Sequence, residues 1–137
     1  MILSQASKYA LRATIHLARN ADRPQLARDI AAALDVPSQY LAKILQDLAR
    51  HGILTSAKGR GGGFRLAKSA AELELISVVR AIEGQNFGEG CVLGLPECGT
   101  DDPCPLHNQW GAIRESLIKM LEQTQLSNLS PSSNLLQ

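Results

Sequence analysis

The chain has 137 residues, 45% of them apolar and 20% charged, which suits one domain with a real core, alone or with an appended element, and argues against wholesale disorder. Aromatics make up only 4%, which speaks against a base-stacking platform, and no apolar run approaches the ~18 residues of a membrane helix. The net charge of +1 hides an asymmetry: residues 1–68 carry eleven Lys and Arg against four Asp, a balance of +7, and residues 69–137 carry three basic against nine acidic residues, a balance of −6. A basic N-terminal half points to a polyanion partner.

The opening Met1-Ile2-Leu3-Ser4-Gln5-Ala6-Ser7-Lys8 has no basic region followed by an apolar stretch, so a cytoplasmic protein without membrane contact is expected. Gln5 to Arg19 predicts a helix, since Ala6, Ala10, Ala13 and Leu17 recur at helical spacing. Asp22-Arg23-Pro24 breaks it. Gln25 to Leu34 predicts a short second helix, Asp35-Val36-Pro37 a tight turn, and Leu41, Ile44, Leu45 and Leu48 a third helix that starts near Ser38 and stops before Gly52. Two short helices joined by about three residues form a helix-turn-helix. Ile53–Ala57 then predicts a strand, Lys58-Gly59-Arg60-Gly61-Gly62-Gly63 a turn, and Phe64-Arg65-Leu66 the return strand. This order is a winged helix-turn-helix over residues 1–68.

Leu73 to Ile82 predicts a further helix, and residues 84–103 an irregular Gly- and Pro-rich stretch. Asp101-Asp102-Pro103 has the character of a helix start, and the last helix is expected to run to about Gln125. On it Leu106, Trp110, Ile113, Leu117 and Met120 step by 4, 3, 4 and 3. This short heptad seam needs a partner surface and predicts a two-fold dimer. The fold class expected is mainly α with a small β-hairpin. Residues 1–68 are assigned to the winged helix-turn-helix and 69–126 to a linker helix, cysteine loop and dimerisation helix. Residues 127–137, polar and serine-rich, are assigned to a frayed tail.

Three features can carry function. Gly62 followed by Ala67-Lys68-Ser69 comes near a phosphate-loop motif, but a strand stands where that motif needs a loop leading into a helix, so nucleotide binding is disfavoured. A wing fits better: its glycines let the tip approach a DNA backbone, and Lys58, Arg60 and Arg65 neutralise phosphates. On the third helix Ser38, Gln39, Tyr40, Lys43 and Gln46 are not needed for the core. The first turns of a recognition helix face base edges, where Gln39 can pair with adenine and Lys43 with guanine or phosphate. The alternative for these residues is an ordinary polar helix face.

The third feature is the cysteine segment. Cys91, Cys98, Cys104 and His107 are spaced C-x6-C-x5-C-x2-H, without the short knuckles of zinc sites. Wide spacing in a Gly/Pro loop is compatible with thiolates around an iron–sulfur cluster. Cys104 and His107 are expected one turn apart in the first turn of the last helix, whose N-terminus favours a thiolate. Glu97, Asp101 and Asp102 compete with His107 for the fourth position, although their hard oxygens suit such centres less well. Reduced, half-buried cysteines beside a surface histidine remain the alternative. His16 and His51 are expected to be packing or surface residues. No Ser/His/Asp set or carboxylate pair stands out, so no enzyme activity is expected.

The chain resembles the IscR and NsrR family of bacterial transcription regulators, also called the Rrf-two family. The resemblance rests on Lys8-Tyr9-Ala10-Leu11-Arg12, the stretch from Ile30-Ala31 to Tyr40-Leu41, and Arg60-Gly61-Gly62-Gly63-Phe64-Arg65-Leu66. It continues through Val78 to Gly84, the three-cysteine loop and Cys104-Pro105-Leu106-His107. It implies a homodimer in which a long C-terminal helix crosses its partner. It also implies repression, or sometimes activation, of genes for cluster assembly, nitric oxide stress, iron or cysteine metabolism; the two-fold dimer expected from the seam predicts binding to a palindromic duplex. An iron–sulfur cluster on Cys91, Cys98 and Cys104 is implied as sensor, though not its nuclearity; the type expected is [2Fe–2S] in preference to [4Fe–4S]. His107 falls where IscR-like members place a histidine ligand and NsrR-like members have arginine. The chain departs from the pattern in three places. Six residues separate Cys91 from Cys98 where IscR-like members have five. Lys8 stands where some NsrR-like members have an acidic ligand. Ala42 stands at the acidic base-reading position of IscR, so the IscR operator is not implied. The competing expectation is a regulator of the same fold without a cluster, responding by cysteine oxidation or to a small-molecule effector.

Overall fold

A computed structural model of the chain describes residues 3–90, 92–93 and 104–129. Helix α1 is Gln5–Arg19, opened by Ser4, whose side-chain oxygen accepts the Ser7 amide at 3.1 Å. Helices α2 (Ala27–Leu34) and α3 (Ser38–Arg50) follow. Between them Asp35 adopts the left-handed conformation at φ 57° and ends α2, its amide and that of Val36 returning to the Ala32 and Ala31 carbonyls. The turn therefore reverses in three residues. The apolar stripes of the first three helices meet in one core that includes Ala13, Leu17, Ile30, Leu34, Leu41, Leu45 and Leu48.

Strands β1 (Leu54–Ala57) and β2 (Gly63–Leu66) form an antiparallel hairpin, with Leu54 opposite Leu66 and Ala57 opposite Gly63. A third segment joins this ribbon. Gln25 donates to the Phe64 carbonyl at 2.9 Å and accepts from the Phe64 amide at 2.7 Å. This is why α2 begins at Ala27 and not at Gln25: the Gln25 backbone is committed to the sheet.

Helix α4 (Leu75–Glu83) buries Ile76, Val78 and Val79, and packs on α1, α3 and the long helix α5 (His107–Gln123). The start of α5 differs from the expectation at Asp101-Asp102-Pro103, residues outside those described. It begins at His107, after a turn through Pro105 and Leu106. A residue before proline is driven out of the helical region, so Cys104 precedes the helix instead of lying in its first turn. Beyond α5 the chain does not fray at once. Thr124 accepts from Leu75 at 2.9 Å, Leu126 donates to Leu73 at 2.9 Å, and Ser127 donates to Ala70 at 3.1 Å. The one-turn helix α6 (Leu126–Leu129) then packs on α1 with Leu126 fully buried. The expected frayed tail therefore does not include residues 127–129, and 130–137 lie outside the described residues. Among the described residues no helix is long and apolar enough to cross a membrane.

Candidate nucleic-acid interface and metal centre

Each of Ser38, Gln39, Tyr40 and Lys43 is exposed on the first turns of α3. Their backs are fixed by the buried Leu41, Ile44 and Leu45. Tyr40 is not simply a free outward residue: its ring stands edge-on to Tyr9 of α1, with centroids 5.8 Å apart at 75°. The Arg12 guanidinium lies 5.8 Å from the Tyr9 ring centre and donates to the Leu34 carbonyl at 3.0 Å. A cation at the C-terminus of α2 meets one of its orphan carbonyls and suits its dipole. Arg12 and Tyr9 thus tie the end of α2 to the start of α3, a role that reasoning from the residues alone did not assign. The available signal was their i, i+3 spacing on the flank of α1.

The wing tip presents Lys58 and Arg60 to solvent. Its fold depends on glycine: Gly59 and Gly61 have φ 85° and 77°, and a Cβ on Gly62 would lie 2.3 Å from the Ala57 carbonyl oxygen. Arg65 is exposed but partly committed, since its Nη2 donates to the Ala21 carbonyl at 3.3 Å. His16 has a task the residues alone did not reveal. Its Nε2 lies 2.9 Å from Gln25 Oε1, the ring N–H donating, and so it fixes the segment that pairs with Phe64. The wing is therefore held to α1 by His16 through Gln25 and by Arg65 through the α1–α2 loop. His51 closes α3, with its Nδ1–H donating to the Asp47 carbonyl at 2.8 Å.

Of the four candidate metal ligands, Cys91 and Cys98 lie outside the described residues. Cys104 and His107 are both half-buried at the entrance to α5, and the His107 amide donates to the Cys104 carbonyl at 3.0 Å. One turn further on, Trp110 donates from Nε1 to the Gly90 carbonyl at 3.1 Å. Gly90, the residue before Cys91 in the chain, and Cys104 are thus both hydrogen-bonded to the first turns of α5. Among the described residues no three metal-binding side chains converge.

The expected seam on α5 divides into two faces. Leu117 packs on the chain's own core together with Ile118 and the buried Leu121, and Trp110 is half-buried beside the loop. Leu106, Ile113 and Met120 lie seven residues apart on the neighbouring face and are 39%, 53% and 55% exposed. Among the described residues nothing covers the apolar surface of that face.

Comparison with known proteins places this architecture. The Rrf2 family, described as an iron-dependent transcriptional regulator, matches residues 3–132. The chain is 31% identical to the helix-turn-helix-type transcriptional regulator NsrR of Geobacillus kaustophilus, over 94% of this chain and 89% of that protein. It is 26% identical to the regulator IscR of Yersinia enterocolitica, over 100% of this chain and 84% of that protein. Its fold is similar to that of CymR, the global cysteine regulator of B. subtilis, with a TM-score of 0.78 and 23% identity over 94% of this chain and 95% of that one. The chain belongs to the Rrf2 family of transcriptional regulators.

Proposed function

We propose that the protein is a cytoplasmic homodimeric repressor that binds a palindromic operator. In this reading it senses redox, iron, iron–sulfur or nitric oxide status through an iron–sulfur cluster held by Cys91, Cys98, Cys104 and His107. The observation that carries the reading is that Gly90, next to Cys91 in the chain, and Cys104 both hydrogen-bond to the first turns of α5, through Trp110 Nε1 and through the His107 amide. Three thiols and one imidazole are a donor set that suits such a cluster, [2Fe–2S] by preference, since histidine in place of cysteine is known there. When bound, the cluster would supply iron that oxygen, nitric oxide or iron limitation can remove.

The chain's own residues supply the rest of the mechanism. His107, at the head of α5, offers a ring nitrogen when neutral. Trp110 holds the loop entrance in place. Helix α4 joins the DNA-reading body to the loop and packs on both α3 and α5, so a change in the loop bears on the placement of the reading helix. Ser38, Gln39 and Lys43 would contact base edges, Tyr40 a phosphate, and Lys58, Arg60 and Arg65 the backbone beside the wing. The exposed Leu106, Ile113 and Met120 would face the same helix of a second copy, with Trp110 and Leu117 at the edge of the contact. Members of this family are regulators, and the proposal gives the chain no catalytic step.

A second reading keeps the fold and the DNA contacts but replaces the cluster by oxidation of the cysteines themselves or by a small-molecule effector. The likeness of fold to a global cysteine regulator and the partial exposure of Cys104 favour it. Anaerobic purification separates the two readings. The proposal expects a coloured protein with iron and acid-labile sulfide, and a colour that His107→Ala makes labile and His107→Cys stabilises. A colourless, iron-free protein whose DNA affinity follows thiol reductant would support the second reading instead.

A further inference from the structure

A cavity of about 290 Å³ opens where α3 ends, the chain leaves β2 and α4 begins its last turns. Its polar lining comes from His51, Lys68, Glu72, Ser77, Arg80 and Gln85. The buried Ile53 and Leu73 also border it, which limits water on that side and strengthens any charge interaction inside.

The lining offers both halves of a recognition site. Lys68 and Arg80 bring two cations, and Ser77 and Gln85 bring neutral donors. Arg80 Nε is buried with no hydrogen-bond partner among the described residues, and its Nη2 lies 4.0 Å from Glu122, the outer limit of an ion pair. The Arg80 side chain is 32% exposed as a whole, so its guanidinium can reach a carboxylate in the cavity through charge-assisted hydrogen bonds. The opposite half accepts hydrogen bonds. Glu72 lines the same cavity, and among the described residues it forms no ion pair with Lys68. His51 donates from Nδ1 to the Asp47 carbonyl, so its Nε2 in the neutral ring is left as an acceptor. With Glu72 counted against Lys68 and Arg80, the lining carries one net positive charge, which balances a monoanion better than a phosphate dianion.

We propose that this cavity binds a small carboxylic acid bearing a hydroxyl or ammonium group. The carboxylate would lie on Arg80 and Lys68, and the second group on Glu72 and His51. The walls belong to the end of the reading helix, the exit of the wing and the helix that leads to the cysteine loop, so a ligand here is placed to act as an effector of DNA binding. That effector role rests on the DNA-binding reading above; occupation of the cavity does not.

The test is calorimetric titration of the full chain, without DNA, with L-lactate and L-alanine as probes and acetate and inorganic phosphate as comparators. Saturable binding of lactate or alanine at one site per chain is expected, with acetate about tenfold weaker because it lacks the second group. Arg80→Gln should weaken binding by about tenfold or more. Lys68→Gln, at an exposed position, should weaken it in the same direction and serves if Arg80→Gln fails to fold. No saturable binding of either probe, tighter binding of phosphate, or wild-type affinity in both folded variants would overturn the site. A titration of labelled duplex at saturating probe then reads the effector role, and unchanged duplex affinity would overturn that role.

Discussion

Gly63 has φ 134°, and a Cβ built on it would lie 2.4 Å from the Gln25 backbone. No side chain fits that contact, so the wing's attachment to the α1–α2 loop depends on glycine there. Gly63→Ala should lower stability by about 1–3 kcal/mol, measured by urea unfolding; an unchanged midpoint would show that the third segment is not part of the sheet in solution. The exposed residues of the proposed interface should behave differently, contributing to binding and little to folding. Arg60→Ala should weaken specific and nonspecific duplexes alike and lower the salt slope by about 1. Gln39→Ala should instead relax base preference at one position of the site, by about 1–3 kcal/mol of discrimination. Fluorescence anisotropy across salt and across mismatched duplexes reads both. The exposure of these residues was legible, because polar side chains on a helix that already has a complete core stripe face away from it. The contacts of Arg12, Tyr9 and His16 were not, because their partners at Leu34, Tyr40 and Gln25 lie beyond the reach of local spacing.

At the scale of elements, the periodicity of α1 predicts its bounds from Gln5 to Arg19 as observed, because its stripe is uninterrupted and Ser4 caps it. Elements whose ends serve another segment are displaced. Helix α2 starts late because Gln25 pairs with Phe64. Helix α4 starts at Leu75 because Leu73 and Glu74 pair with the segment after α5. Polar composition hides helix α6, for which two leucines three apart, Leu126 and Leu129, are the signal along the chain. Leu126→Ala should cost about 2–5 kcal/mol of stability, as expected for a buried leucine, and thermal unfolding measures it. A cost near zero would place this turn outside the cooperative core. The seam on α5 was legible as apolar repetition, but repetition does not tell which face meets the chain itself. The structure assigns Leu117 to the chain's own core and leaves Ile113 and Met120 exposed. Ile113→Glu with Met120→Glu should therefore give a monomer by light scattering at micromolar concentration with the monomer fold intact by circular dichroism. A dimer of unchanged size would contradict the assignment of this face.

At the scale of the whole molecule, the chain divides its charge as it divides its proposed tasks. The basic half would read DNA, and the acidic half would hold the loop that senses. They meet through α4, which touches α1 and α3 on one side and α5 on the other. The family and its fold were legible because the order of helices, turn and basic glycine-rich hairpin is specific. The proposed metal centre is legible only as a donor set, since spacing along the chain does not say how residues 91 and 98 lie relative to His107. The central claim is that a cluster on Cys91, Cys98, Cys104 and His107 sets the affinity for DNA. Its most direct test is a titration of one duplex, selected from genomic DNA by the protein itself, against anaerobically purified protein before and after removal of iron, with Cys104→Ser in parallel. The iron-loaded and iron-free forms should differ in affinity by about tenfold or more, a coupling of about 1.4 kcal/mol, and Cys104→Ser should bind as the iron-free form under both conditions. Equal affinity of all three preparations for that duplex would contradict the claim.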